Sequence, residues 1–220
     1  MAATQKWAMY IDGYNFYYAI KKRPDITPIH LAWCDFGALA SEIIRSRGSL
    51  TRIKYFTAPV GDLGHDGGEE GSERGRQRKW LRAVRTISDL EVVLGFYKWE
   101  PAAPDQRQRH RTEKETDVNI AIALVLDAAK EFYERAILVT GDSDQMPAVR
   151  AASAEFARHI EVWLPPGQPK RRWSEEFDAN RFVTIHSITP VMLERARLPD
   201  SIRHPGGTIE APKMWRGGFA

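Results

Sequence analysis

The sequence predicts an α/β fold of three layers, helices on both faces of a mostly parallel central sheet of about five to six strands. Three observations carry this expectation. Short apolar runs recur along the chain, stretches with helical spacing lie between them, and two of the runs end at a carboxylate beside a glycine, Asp12-Gly13 and Gly141-Asp142.

The elements follow in order. Residues 7–11 (WAMYI) form a short apolar run, read as a buried strand that ends in a turn at Asp12-Gly13. Residues 14–22 suit a short helix, and 24–28, bounded by prolines, a loop. In 35–47, Phe36, Leu39, Ala40, Ile43 and Ile44 share one helical face, and Gly48 stops the helix. Residues 51–58 read as a second strand, 61–71 as a flexible Gly-rich acidic loop, and 73–87 as a basic helix. Residues 90–98 read as a third strand, 99–113 as a Pro-, Gln- and Arg-rich loop, and 117–132 as an apolar helix. A fourth strand (135–140), a helix (146–157) and a fifth strand (160–164) follow, and 181–186 suits one more. From Pro199 the Pro- and Gly-rich chain reads as a flexible tail. The expected organisation is a main domain over 1–165, an extension over 166–198 packed on it, and the tail 199–220. The alternation of strand and helix makes the fold Rossmann-like.

Bulk properties narrow the function classes. The chain has 220 residues, 43% hydrophobic and 28% charged, ordinary for a soluble globular protein with a sizeable core. No apolar run approaches the roughly 20 residues needed to cross a bilayer, and residues 1–7 lack the pattern of a secretory signal. Cys34 is the sole cysteine, which excludes an intrachain disulfide and a thiolate metal cluster and suits a reducing cytoplasm. A net charge of +3 and a pI of about 9.0 point only weakly to nucleic acid. The six histidines lack metal-ligand spacing, and His65 and His110 fall in expected loops.

The acidic residues are more informative. In a parallel sheet the site lies at the carboxyl ends of the strands, near the reversal of strand order. Asp12 and Asp142 each follow an apolar strand and should emerge on that rim. Asp142 and Asp144 flank Ser143 at one strand exit and repel when ionised. A divalent cation relieves that cost, and Mg²⁺ and Mn²⁺ favour carboxylate oxygens. Asp117 opens the helix 117–132, where helix capping accounts for it as readily as metal binding does. Asp12 alone would suit a turn.

The run Tyr10-Ile11-Asp12-Gly13-Tyr14-Asn15-Phe16 resembles the opening motif of NYN domains, the PIN-like nuclease group that includes the LabA-like bacterial proteins. Lys114-Glu115-Thr116-Asp117-Val118 is similar to the second motif, and Leu138-Val139-Thr140-Gly141-Asp142-Ser143-Asp144 to the third. The motifs keep the family's order, over roughly residues 6–165. Two positions depart: the third motif more often has Ser at Thr140 and an aromatic at Gln145. The resemblance implies a PIN-type fold and a metal-dependent ribonuclease. Asp12, Asp117 and Asp142 would hold Mg²⁺ or Mn²⁺ directly, and Asp144 would act through the metal or a water. Asn15, one helical turn past Asp12, either bonds a carboxylate or phosphate or bonds locally. Ser143 and Lys114 fall within the motifs as substrate contacts.

Basic residues supply candidates for phosphate. Arg74, Arg78, Arg82 and Arg85 form a stripe on the helix 73–87, opposite Trp80, Leu81, Val84 and Ile87. Arg107, Arg109 and Arg111 lead into the Asp117 helix. Lys170-Arg171-Arg172 precede Trp173, an aromatic that could stack a base. Trp7, Trp80 and Trp163 suit the core. The substrate contacts expected are thus Asn15, Lys114, Ser143, Arg78, Arg82, Arg109 and Arg111.

A metal-dependent ribonuclease of the cytoplasm, acting on RNA and not on membranes, accounts for these features best. A non-catalytic RNA-binding or regulatory module is an alternative. So is a small-molecule enzyme such as an aromatic-heterocycle hydroxylase, although no GxGxxG fingerprint or His-rich iron triad is present. Homodimerisation is left open by the sequence, as is whether one or two metals bind.

Overall fold

The computed structural model describes residues 4–59, 72–100 and 110–217, with the backbone alone at 98–100 and 110–113. The first half runs β1 (Lys6–Asp12), α1 (Gly13–Lys22), α2 (Phe36–Ile44), β2 (Ser49–Thr57), α3 (Glu73–Val84), β3 (Leu90–Leu94), β4 (Phe96–Glu100) and β5 (His110–Lys114). The second runs α4 (Thr116–Ala129), β6 (Arg135–Val139), α5 (Met146–Ala154), β7 (His159–Leu164), α6 (Arg171–Phe177), β8 (Val183–Ser187), α7 (Pro190–Arg195), β9 (Ser201–His204) and β10 (Gly207–Glu210).

Six strands form one sheet in the order β3-β2-β1-β6-β7-β8, every pairing parallel. The chain builds outward from β1 through β2 and β3, then restarts beside β1 with β6 and builds the other way. The order therefore reverses between β1 and β6, and the crevice at their carboxyl ends is where a doubly wound sheet places its site.

Burial fits a sheet covered on both faces. Every residue of β1 after Lys6 is buried, and alternation divides them between two cores. Trp7, Met9 and Ile11 pack with Phe36, Leu39, Trp80 and Val84 of α2 and α3. Ala8 and Tyr10 pack with Ile120, Leu124, Val149 and Trp173 of α4, α5 and α6. Helix starts are set by side-chain caps: Asp35 accepts from the N–H groups of Gly37 and Ala38, and Ser72 from that of Gly75.

The structure corrects two expectations from the sequence. The run 90–98 is not one strand. It breaks at buried Gly95, where a Cβ would lie 2.6 Å from the Lys114 carbonyl oxygen and 2.7 Å from Thr116 Oγ1. β3 stays in the main sheet, and β4 leaves it to pair antiparallel with β5, inside the segment 99–113 expected to be a loop. A ribbon outside the sheet needs no alternation of apolar and polar residues, so the polar HRTEK run gave no strand signal. The second correction concerns the C-terminus. In place of a flexible tail from Pro199, β9 and β10 form an antiparallel hairpin, and Ile202, Ile209, Ala211 and Trp215 join the core over Trp33 and Trp80. The expected strand at 181–186 is β8, the sixth of the sheet. The loop 61–71 lies outside the described residues. Among those described, no helix is long and apolar enough to cross a membrane.

Candidate active site

The rim between β1 and β6 is organised around Asp12. This carboxylate, 3% exposed, caps α1 by accepting from the Asn15 N–H at 2.9 Å through Oδ1. Its other oxygen accepts from Thr140 Oγ1 at 2.9 Å. The same hydroxyl accepts from the N–H of Asp142 at 3.0 Å, so one side chain ties Asp12 to the loop that carries Asp142. Asn15 closes a second link: its Oδ1 accepts from the Gly141 N–H at 2.7 Å. The Asn15 carboxamide oxygen is thus a clamp between the two strand exits. Asp142 caps the short 3₁₀ turn 143–145 by accepting from the Asp144 N–H at 3.0 Å.

Asp117 reaches this rim from the first turn of α4. Asp117 is not the cap residue: Glu115, two positions earlier, holds that place with φ of 73° and makes no side-chain cap bond, and Asp117 is the acidic residue of the first turn, where the helix dipole favours it. Asp117 is exposed as a residue, yet partial desolvation of its carboxyl raises it above the usual carboxylate range, and the charges of Asp142 and Asp144 raise it further. A hydrogen bond from Gln145 opposes them. Gln145 is buried and also donates to the Asp117 carbonyl oxygen at 3.2 Å. The family's usual aromatic is therefore replaced by an amide that braces α4 against the 143–145 turn. Gln145 Oε1 and Thr116 Oγ1 are buried oxygens with no hydrogen-bond partner among the described residues.

These features bear on whether a metal fits. Among the described residues, no three His, Cys, Asp or Glu side chains gather closely enough to hold an ion as a protein cage. Magnesium does not require one, since it is commonly held by one or two carboxylates with waters and substrate phosphate. A carboxyl raised by desolvation and by two neighbouring carboxylates suits a hydrated cation of this kind, and the unpartnered oxygens of Gln145 and Thr116 are acceptors for hydrogen bonds from its water shell.

The expected substrate contacts scatter more widely. Ser143 lies on the acidic rim in the 3₁₀ turn, half-buried, and Lys114 ends β5 ahead of α4, also half-buried. Arg78 is half-buried and Arg82 exposed on α3. Arg109, the side chain of Arg111, and both His65 and the His110 ring lie outside the described residues. Trp173 does not stack a base: it is 1% exposed, packs at 5.9 Å against the Phe177 ring, and donates to the Gly141 carbonyl at 3.4 Å. It supports the site loop from beneath.

Sequence reasoning also missed a cavity. It opens on the other core face and is walled by Gly13, the residue after Asp12, and by Thr57 at the end of β2. Aromatic rings dominate the remainder, among them Tyr14, Tyr17, Trp80 and Trp215. The closely spaced tyrosines after Asp12 were the available signal, but Trp215 lay in the supposed tail.

The NYN domain family model matches residues 6–186. The chain is a member of the NYN domain family. The match runs from β1 into β8, and all three acidic motifs lie inside it. The chain is also 26% identical over 241 aligned residues to the 6-hydroxy-3-succinoylpyridine 3-monooxygenase HspA of Pseudomonas putida (strain DSM 28022 / S16), spanning 95% of this chain and 75% of that protein. Among solved structures, a protein of unknown function from Vibrio parahaemolyticus RIMD 2210633 superposes with a TM-score of 0.57 at 18% identity, covering 86% of this chain and 95% of that one. At that identity the likeness concerns the fold alone.

Proposed function

We propose that this NYN protein is a metal-dependent ribonuclease that hydrolyses phosphodiester bonds at Asp12, Asp117, Asp142 and Asp144. The observation that carries the reading is the acidic rim itself: Asp12 ends β1 and is bonded through Thr140 to the loop of Asp142 and Asp144, and the Asp117 carboxyl, raised by desolvation and by those two charges, faces them. Carboxylates that destabilise one another at a strand switch point suit binding and proton transfer.

When bound there, Mg²⁺ or Mn²⁺ would lower the pKa of a water and offset charge on the phosphate. Asp142 and Asp144 would hold it, and Asp12 fixes the loop that presents them through Thr140. Water oxygen bonds to phosphorus, the bond from phosphorus to the leaving oxygen breaks, and a proton passes to that oxygen. Asp117, beside Asp142 and Asp144 on this rim, takes the proton of the attacking water. Lys114 and Ser143 would contact the phosphate backbone, with Arg78 and Arg82 of α3 tracking the strand further out.

The test is cleavage of end-labelled single-stranded RNA by wild type and Asp142→Asn, with Mn²⁺, with Mg²⁺ and with EDTA. Cleavage by wild type alone, and only with metal, is expected. Equal cleavage by both proteins, or none, would overturn the reading. RNA bound but not cut, unaffected by chelator, would favour an RNA-binding module.

A second reading has support of its own. The relative named as a pyridine monooxygenase aligns over nearly the whole chain, and the aromatic cavity beside Gly13 suits a flat heterocycle. Under this reading the chain would hydroxylate an aromatic heterocycle with a reductant and dioxygen. Consumption of NAD(P)H dependent on an added hydroxypyridine would support it.

A further inference from the structure

We infer that the outward face of α4 pairs with the same face of a second copy of this chain, the two helices running antiparallel about a two-fold axis at Ile122. A helix that covers one side of a sheet ordinarily turns polar residues to solvent. α4 does not. Ile120, Leu124 and Ala128 fill the core beneath it. Val118, Ile122 and Leu126 follow at intervals of four on the outer side and are 58%, 50% and 47% exposed. Ala129 extends the stripe and is exposed too. At about 100° per residue, these four positions fall within an arc of about 80°, and no polar side chain between Val118 and Ala129 shares it. A helix apolar on opposite sides is one covered on both, and a contiguous exposed apolar stripe marks an association surface.

The ends of the stripe identify the partner. Glu115 stands just before α4 and Lys130 just after it, both exposed. The turn of the helix sets both toward the Leu126 side of the stripe. Neither side chain has a partner among the described residues. The stripe is therefore negative at its amino end and positive at its carboxyl end, with Ile122 near the middle. Turned end for end, a second copy sets Val118 against Leu126, Ile122 against itself, and Glu115 against Lys130 twice over. A parallel copy would set like charges together. An isologous two-fold interface requires this self-complementarity, and complementary charge fixes its register.

α4 spans 14 residues, about 21 Å. One helix face is smaller than a standard protein interface, so the pair should be a reversible one that dissociates on dilution. Asp117 turns to the other flank, toward Gln145 of the 143–145 turn. Pairing thus leaves the acidic rim open, and the inference does not rest on the ribonuclease reading.

Sedimentation velocity of the full chain from about 1 to about 200 µM tests it. Wild type should pass from monomer to dimer across that range. Ile122→Glu, at a half-exposed position, sets two like charges against each other on the axis and should hold the chain monomeric throughout. Glu115→Lys and Lys130→Glu should each weaken the dimer about fivefold to tenfold. Their equimolar mixture should recover wild-type association, because each variant supplies the charge that the other lacks. A folding defect in either variant would not be repaired by mixing. A wild type that stays monomeric at about 200 µM, an Ile122→Glu chain that associates as wild type does, or a mixture no stronger than its components overturns the inference.

Discussion

Thr140 links Asp12 Oδ2 to the Asp142 N–H through one hydroxyl, which makes it a positioning residue. Thr140→Val keeps the shape and removes both bonds, at a cost of about 0.5–3 kcal/mol. Cleavage should fall ~10–100-fold, the usual scale for groups that orient metal-site carboxylates. Thr140→Ser, the residue more common in the family, should restore both activity and melting temperature. A valine variant as active as wild type would show that the bridge is dispensable. Asp117 makes the opposite prediction for stability. Its carboxyl is raised in the folded chain by burial and by Asp142 and Asp144. The folded state therefore binds a proton more readily than the unfolded chain, and its stability falls as pH rises from the ordinary carboxylate range through the raised value. Asp117→Asn should abolish cleavage yet raise the melting temperature slightly near neutral pH, a gain kept small because water screens this exposed residue. The gain should shrink below the ordinary carboxylate range. Melting curves at pH 7.5 and pH 3.5 check this, and a lower melting point at pH 7.5 would refute it.

At the scale of elements, the ribbon β4–β5 determines where α4 begins. Gly95 sits at its base, donates its N–H to the Thr57 carbonyl at 2.9 Å, and leaves no room for a Cβ against Lys114 and Thr116. Gly95→Ala should push on the residues that open α4. The expected result is a loss of about 1–3 kcal/mol and weakened cleavage, because Asp117 moves with Thr116. Thermal melting and the RNA assay read the two effects separately. The sequence did not reveal this arrangement, and the reason is physical. Strands of the main sheet are buried on both faces and announce themselves as apolar runs, as in WAMYI and RAILV. A two-stranded ribbon is held by main-chain bonds, and its polar residues look like a loop. The acidic positions were legible for the converse reason. A carboxylate directly after a buried strand must emerge at the strand's carboxyl end, so Asp12 and Asp142 could be placed on one rim without coordinates. The roles of Thr140 and Gln145 were not legible, since each depends on which of several nearby backbone groups its side chain meets.

At the scale of the whole molecule, the C-terminal segment belongs to the core rather than to solvent. The Trp33 indole donates to the Pro199 carbonyl at 2.9 Å, and the Trp215 ring packs 6.0 Å from Trp33 and 5.8 Å from Tyr17. Composition misled here because Pro and Gly are frequent both in disordered tails and in tight hairpins, and only long-range contacts distinguish them. The packing has a consequence for the acidic rim. Tyr17 lies on α1, the helix that Asp12 caps, so removing Trp215 takes away a support of that helix less than two turns from the site. Truncation after Pro199 should expose the apolar surface around Trp33 and Trp80 and destabilise the chain by at least the 3–5 kcal/mol typical of deleting a buried Trp side chain. Such a loss is a large share of the stability of an ordinary domain, so the truncated chain should melt well below the full one and bind a hydrophobic dye before it melts. If the shortened protein melts with wild type and cleaves RNA unchanged, residues 200–220 are dispensable to both core and site.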